Sequence, residues 1–383
     1  MLDEPLADLG AEPAERRQLR ELVRAFVAKE VRPHLDSWER AGEVPRDLHR
    51  TAARLGLLGV GFPVAVGGSG GGLLDVVAVT EELIIAGGSS GLAAALFTHG
   101  IALPHIVEAG DPALVDRYVR PTLAGEAIGA LAITEPDAGS DVVAIRTRAA
   151  RDGDHYVVGG AKTYITSGVR ADFVTTAVRT DSGISLLVID KGTPGFAVGR
   201  RLEKMGWHCS DTAELSFADV RVPASRLVGE EGGGFAAIMR HFAHERISLA
   251  VHAYAVAQRC LDLTVAWCRA RKTFGEPLAS RQLVRHRLAE MATRIAAART
   301  YVRHTATRIE SGETLVTEVA MSKNVAVAAC DHVVGRAVQL HGGFGYLREA
   351  EVERHYRDAK ILGIGGGTTE IMNEIIAKGM GFS

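Results

Sequence analysis

The hydrophobic period of this chain changes twice, and those two changes limit the folds open to it more than any single motif does. In residues 15–31, Leu19, Leu22, Val23, Phe26 and Val27 fall on one face, the spacing of a buried helical stripe. Similar patterns run through 47–57, 73–86 and 91–107. From Ala127 to about Val228 the apolar residues come instead in short β-rich runs, at 127–133, 146–151, 155–158, 173–179, 185–189 and 213–217. Asp152-Gly153-Asp154, Asp181-Ser182-Gly183 and Thr193-Pro194-Gly195 are turn signals between them. From Gly234 the helical period returns, in long segments at 235–269, 280–311 and 317–339 and shorter ones at 349–360 and 369–379. This order predicts an α+β chain with helical domains at 1–126 and 231–383 and an antiparallel β barrel or sandwich at 127–230.

Composition narrows the partners. The 383 residues carry 44 basic and 46 acidic side chains and are 47% hydrophobic, enough for two or three cored domains and unlike a disordered chain. A net charge of −2 gives no general pull towards nucleic acid or an anionic membrane. Eight lysines against 36 arginines read as codon bias rather than function. Cys209, Cys260, Cys268 and Cys330 are too scattered for a disulfide framework or a paired-cysteine zinc site, so reduced thiols in a cytoplasmic protein are expected. Met1 to Pro5 lack the basic and apolar regions of a secretory signal. Residues 83–107 contain no charged side chain, but glycines, serines, histidines and Pro104 interrupt them, so a buried helical layer is expected rather than a membrane span. The glycine-rich stretch 59–72 misses the dinucleotide fingerprint, with Val64 where a third glycine should stand.

Five segments carry polar chemistry. Residues 134–141, Thr-Glu-Pro-Asp-Ala-Gly-Ser-Asp, follow a strand and offer hydroxyls and backbone donors. Residues 162–168 join Tyr164 to the hydroxyls of Thr163, Thr166 and Ser167. Arg271-Lys272-Thr273-Phe274-Gly275 ends a long helix, where a cation meets the negative end of the dipole. Residues 339–346, Gln-Leu-His-Gly-Gly-Phe-Gly-Tyr, allow close backbone approach, and Gly365 to Glu370 offer bare amides before a helix. Each reads equally well as a turn or helix stop when taken alone.

In this order and over nearly the whole length, the segments resemble the acyl-CoA dehydrogenase family. The resemblance implies an N-terminal helical domain, a middle β-barrel domain, a C-terminal four-helix bundle, and a homotetramer or homodimer of FAD-containing subunits. It implies flavin contacts from Leu131 to Ser140, including Ile133 and Thr134, and from Tyr164 and Thr166, where many members have Trp at the position of Tyr164. Arg271 and Phe274 are expected at the diphosphate and adenine side, Gln282, Gln339, Gly342 and Gly343 as contacts to a neighbouring subunit's FAD, and Thr368 and Glu370 at the adenosine end.

The base departs from the family's commonest pattern. Many members place a Glu two residues before the Thr of the final G-T motif, and here that position is Gly366. The long-chain and isovaleryl types place it on a helix of the C-terminal domain, and His244-Glu245-Arg246 resembles that site, making Glu245 the expected base. Ala243, His244, Arg246, Ser140, Gly366 and Gly367 are expected around the substrate, with the Gly366 amide polarising the thioester carbonyl. The implied reaction is α,β-dehydrogenation of an acyl-CoA, long or branched chain favoured, with an electron-transfer flavoprotein or similar acceptor. Small residues at 87–95 hint at room for such a chain. Without the resemblance, Glu245 reads as a surface ion pair with Arg246 or an i,i+4 neighbour. Three other readings remain: a metal hydrolase built on His241, His244, Glu245 and His252, whose order matches no zinc-hydrolase motif; a flavin-dependent oxidase or N-oxygenase on the same fold; and a non-catalytic relative.

Overall fold

The computed structural model describes residues 12–382, and their contacts divide into two compact units. The first comprises the described residues up to His34, Gly72–Ala93 and Ala243–Ser383; the second comprises Leu35–Gly71 and Ala94–Phe242.

The first unit is helical. Its helices are α1 (Ala14–Phe26), α2 (Leu73–Ile85), the 37-residue α3 (Gly234–Ala270, within this unit from Ala243), α4 (Gln282–Glu310), α5 (Val316–His341), α6 (Glu351–Ala359) and α7 (Thr369–Gly379). Three long helices and two shorter ones thus follow the sheet, matching the periodic segments of the sequence. In α3 a near-continuous run from Ala250 to Ala257 is fully buried, which is why its apolar residues show no single stripe. At Gly88, an added Cβ would stand 2.6 Å from the Leu83 carbonyl oxygen, so small side chains there serve tight packing.

The second unit is built on a sheet. Its strands are β1 (Gly129–Ala132), β2 (Arg148–Asp152), β3 (His155–Thr166), β4 (Phe173–Thr180), β5 (Gly183–Asp190), β6 (Phe196–Arg201), β7 (Thr212–Pro223) and β8 (Leu227–Val228). They pair in the order β6-β7-β3-β2-β4-β5-β8, with β1 alongside β4. The closed antiparallel barrel expected from the sequence is not found. The path has two ends, at β6 and β8, and β4 pairs in parallel with both β1 and β2. Alternate residues explain how the sheet is covered: Phe173, Ala177, Ile184, Leu186 and Val188 join the core beneath the surrounding helices, while Val174, Val178, Leu187 and Ile189 join a second core with Tyr156, Ile165, Leu215 and Val222. β4 and β5 are buried on both faces, so they lack the polar–apolar alternation of a half-exposed strand.

Local departures have local causes. The segment 91–107 is three short helices, Ser90–Leu96, His99–Ala102 and Pro104–Ala109, because Pro104 has no N–H to continue the preceding turn. Among the described residues no single helix is long and apolar enough to cross a membrane. The 59–72 stretch closes as a compact loop, where a Cβ on Gly68 would sit on the Phe62 carbonyl. All four cysteines are buried and none forms a disulfide.

Candidate active site

In the helical unit, three elements converge on a glycine turn. Gly366 and Gly367 have φ of +65° and +96°, which L side chains rarely adopt, so the chain can turn here only with glycine. Arg246, on α3, is buried and donates from Nε to the Gly366 carbonyl at 3.1 Å. Lys323, on α5, is fully buried and donates from Nζ to the Gly367 carbonyl at 2.6 Å. Its neighbour Asn324 donates to Thr369 O at 3.3 Å and to Asn373 Oδ1 at 2.8 Å. Thr368 then caps α7, its hydroxyl accepting from the Ile371 amide at 3.3 Å.

Glu245 stands on α3 beside this turn. Its Oε1 lies 3.5 Å from the point where a Cβ on Gly366 would be, and Leu249 Cδ1 lies 2.6 Å from that same point. Glu245 is half-buried, and its carboxylate makes no hydrogen bond or ion pair among the described residues. The surface-pair reading therefore has no partner to rest on. Burial pushes the Glu245 carboxyl above the usual range, and the charges of Arg246 and Lys323 pull it partly back. Burial lowers the Arg246 guanidinium, and burial together with Arg246 pushes the Lys323 ammonium down to about 8. Ala243 is half-buried and His244 is exposed on the same helix.

In the sheet unit, the loop after β1 is held by a buried ion pair. Glu135 accepts from the amides of Arg146 at 2.6 Å and Thr147 at 2.9 Å, and from Lys162 Nζ at 2.7 Å. Lys162 also donates to Ile133 O at 2.8 Å, and Thr163 N donates to Thr134 O at 2.9 Å. Ile133, Thr134 and β3 are thereby tied together, with Leu131 and Thr134 half-buried and Ser140 exposed. Between Lys162 and Ile165 the pairing of β3 with β7 slips. Tyr164 occupies that bulge at φ +60° with its ring 69% exposed, and Thr166 follows half-buried. An exposed aromatic ring in a left-handed backbone is costly unless it is used.

After α3, residues 271–277 form a tight hairpin. Lys272–Thr273 pairs with Glu276–Pro277, and the turn residues Phe274 and Gly275 have φ of +51° and +83°. Phe274 is 98% exposed at its tip, Arg271 is exposed, and the Thr273 hydroxyl is buried without a partner. Gln282 opens α4 and is exposed, as are Gln339, Gly342, Gly343 and Glu370, and the space around Gly342 and Gly343 is open to an added Cβ.

The structure thus brings together Glu245, Arg246, Gly366 and Gly367 in one unit, and Ile133, Thr134, Tyr164 and Thr166 in the other. Arg271 and Phe274 share one hairpin; Gln282 and Gln339 stand on separate helices. Glu135 and Lys162 lie within segments that the sequence singles out, though without a role there; Lys323 and Asn324 lie outside all of them. The histidines near Glu245 have separate partners: His241 bonds Glu108 at 2.8 Å and His252 meets Ser90 Oγ at 3.0 Å. Among the described residues no three His, Cys, Asp or Glu side chains are grouped to hold a metal ion.

Each unit offers groups that suit a part of a flavin dinucleotide. In the sheet unit an exposed aromatic and hydroxyls suit a planar heteroaromatic ring; in the helical unit Arg271, an unpartnered buried hydroxyl and bare glycine backbone suit phosphate and ribose oxygens.

The chain is similar to known proteins along nearly its whole length. Three family models match, described as the N-terminal, middle and C-terminal domains of acyl-CoA dehydrogenase, over residues 13–126, 130–220 and 232–381. The mitochondrial long-chain specific acyl-CoA dehydrogenase of Mus musculus is 38% identical over 388 residues, covering 97% of this chain and 89% of the relative. A putative acyl-CoA dehydrogenase structure from Mycobacterium smegmatis is 61% identical with a TM-score of 0.96, covering 97% of this chain and 99% of its own. A glutaryl-CoA dehydrogenase from the same organism, solved with FADH2, is 26% identical with a TM-score of 0.90, over 96% and 95%. The chain belongs to the acyl-CoA dehydrogenase family of FAD-dependent oxidoreductases.

Proposed function

We propose that this enzyme dehydrogenates a long- or branched-chain acyl-CoA thioester to the trans-2-enoyl-CoA, with Glu245 as the base. The observation that carries the reading is the Glu245 carboxylate: half-buried, without a hydrogen bond among the described residues, and with Oε1 3.5 Å from where a Cβ on Gly366 would stand. Bound FAD supplies the acceptor for the hydride that leaves Cβ. Glu245 takes the α proton, and the electron pair of that C–H bond becomes the new C=C bond. Charge developing on the thioester oxygen is met by the Gly366 amide, whose turn is already fixed, so little reorganisation accompanies the reaction. Arg246 acts from behind, through the Gly366 carbonyl. Ser140, Ala243, His244 and Gly367 border the substrate.

On this reading Leu131, Ile133, Thr134, Ser140, Tyr164 and Thr166 face the flavin ring. Arg271, Phe274, Thr368 and Glu370 serve the diphosphate and adenosine, and Gln282, Gln339, Gly342 and Gly343 serve the FAD of a neighbouring copy in a homotetramer or homodimer. The enzyme works in the cytoplasm and passes electrons to an electron-transfer flavoprotein or similar acceptor.

The test is anaerobic titration of the flavin spectrum with long- and short-chain acyl-CoA, wild type beside Glu245→Gln. Bleaching in the wild type alone, with FAD retained by the variant, supports both reaction and base. Equal bleaching removes Glu245 as the base; a flavin that no acyl-CoA reduces favours an oxidase or a non-catalytic role.

A further inference from the structure

A turn of three consecutive glycines, Gly365 to Gly367, is the most flexible backbone the chain could place at a reacting centre, and ordering it costs more entropy than any other sequence would. The structure offsets this from three sides. Gly365 N donates to Ile361 O at 2.8 Å, fixing the entrance to the turn. Arg246 fixes the Gly366 carbonyl, and Lys323 fixes the next one. The second cation is unusual: Lys323 is fully buried, and taking an ammonium out of water is expensive unless its charge is used. Its hydrogen bond goes to a neutral carbonyl, that of Gly367, yet its charge is felt by the Glu245 carboxylate.

We infer that Lys323 is a positioning residue for the proposed base: from α5 it locks the Gly366–Gly367 turn and sets a buried positive charge opposite Glu245. The inference rests on the reading of Glu245 as the base. The charged groups acting on Glu245 are Arg246 on its own helix and Lys323 on α5; those acting on Lys323 are Arg246 and Glu245. Lys323 titrates near 8, so most of its charge is present at neutral pH. Its work is to keep a carboxyl that burial would protonate in the proton-accepting form.

The test uses the holoenzyme and three variants: Lys323→Met, which removes donor and charge, Lys323→Gln, which keeps a donor without charge, and Lys323→Arg, which keeps the charge. The protonated-carboxyl infrared band of Glu245, identified by its loss in Glu245→Gln, is followed against pH, and flavin reduction by acyl-CoA is timed in parallel. Expected in Lys323→Met and Lys323→Gln is an upward move of the Glu245 titration by about one pH unit or more, the scale on which a nearby opposite charge acts. Reduction at neutral pH slows roughly 10- to 100-fold, as when a group behind a site is removed, while Lys323→Arg keeps the titration in place. A Glu245 titration unmoved in both uncharged variants overturns the inference. Should Lys323→Met fail to fold, the contrast between Gln and Arg decides: a shift in Gln alone supports it, and equal behaviour overturns it. Flavin reduction surviving in Glu245→Gln would sink the base reading itself, and the inference with it. An unmoved infrared band with an inactive Glu245→Gln sinks the inference alone.

Discussion

Glu245 Oε1 stands 3.5 Å from the place where Gly366 would carry a Cβ. A side chain on the turn and a side chain on α3 therefore compete for one spot, and this chain fills it from the helix. Gly366→Ala should be poorly tolerated for two reasons. The left-handed φ of +65° costs a residue with a Cβ about 1–2 kcal/mol, and the new methyl meets Leu249 Cδ1 at 2.6 Å. Denaturant melts should show that loss, and flavin reduction should slow because Leu249, one turn along the helix from Glu245, must shift. Wild-type behaviour in both would mean that the turn has slack.

The raised Glu245 carboxyl gives two pH signatures. As the proposed base, Glu245 works only when deprotonated, so flavin reduction should rise with pH through a value above the ordinary 4.5. In the same window the folded state binds more protons than the unfolded chain, so this group makes stability fall as pH rises from its unfolded value through its folded one. Glu245→Gln removes that loss. Its melting temperature relative to wild type should therefore climb with pH across the window, and a difference flat in pH would count against a buried, proton-binding Glu245.

The Glu135–Lys162 pair should matter to both fold and cofactor. Burial lowers Lys162 to about 8 despite its partner, while Lys162 and two backbone amides hold the Glu135 carboxyl below the usual range. Lys162→Met strands a buried carboxylate, for which a cost of about 3–5 kcal/mol is typical. Because Thr134 hangs from this pair, FAD should also be retained less well. Adding Glu135→Gln should recover part of the stability, and purely additive effects would show the two groups do not act as a unit.

How far the sequence could be read follows from which residues were carrying the signal. The alternation of periods identified the helices and the strands β4 and β5, because their apolar residues face cores on one or both sides. The second half of β3 was missed because Gly159, Gly160 and Lys162 do not look like strand, and β6 was missed because most of its residues are exposed. The glycine turn stood out in the sequence through motif order, and Glu245 is an expectation drawn from the family resemblance. Their support did not stand out, since a lysine in sequence reads as surface. One signal was available: in a chain with 36 arginines, the eight retained lysines include the two that are fully buried. A compact ammonium fits where a planar guanidinium does not. The open sheet could not be foreseen, because closure depends on whether β6 and β8 meet, and no local pattern encodes that.

Phe274 can separate the proposed cofactor contact from fold. The residue is 98% exposed at the hairpin tip, with the Arg281 guanidinium 5.8 Å from its ring centroid. Phe274→Ala should change stability by no more than about 0.5 kcal/mol. FAD content after gel filtration should nonetheless drop. Full retention would mean that the strained, exposed ring serves something other than FAD.

Glu81 on α2 shows where the helical unit is vulnerable to acid. It is wholly buried, and Arg299, Arg303 and Arg20 approach its oxygens at 2.5, 2.7 and 3.2 Å, with the Tyr254 hydroxyl donating at 3.3 Å. Burial alone would raise its pKa, but the guanidinium charges of Arg303, Arg299 and Arg20 win and hold it below 4.5. A carboxyl depressed in this way stabilises the fold fully above its unfolded value, and the contribution disappears as pH falls through the folded one. Glu81→Gln leaves three cations, Arg20 buried and Arg299 and Arg303 half-buried, around a neutral amide, a loss of up to about 3–5 kcal/mol by the usual cost of breaking such a set. In urea melts the gap between wild type and Glu81→Gln should be full at pH 7 and narrow below about 4.5. A gap that persisted undiminished in acid would show that the cluster holds its helices by packing rather than by charge.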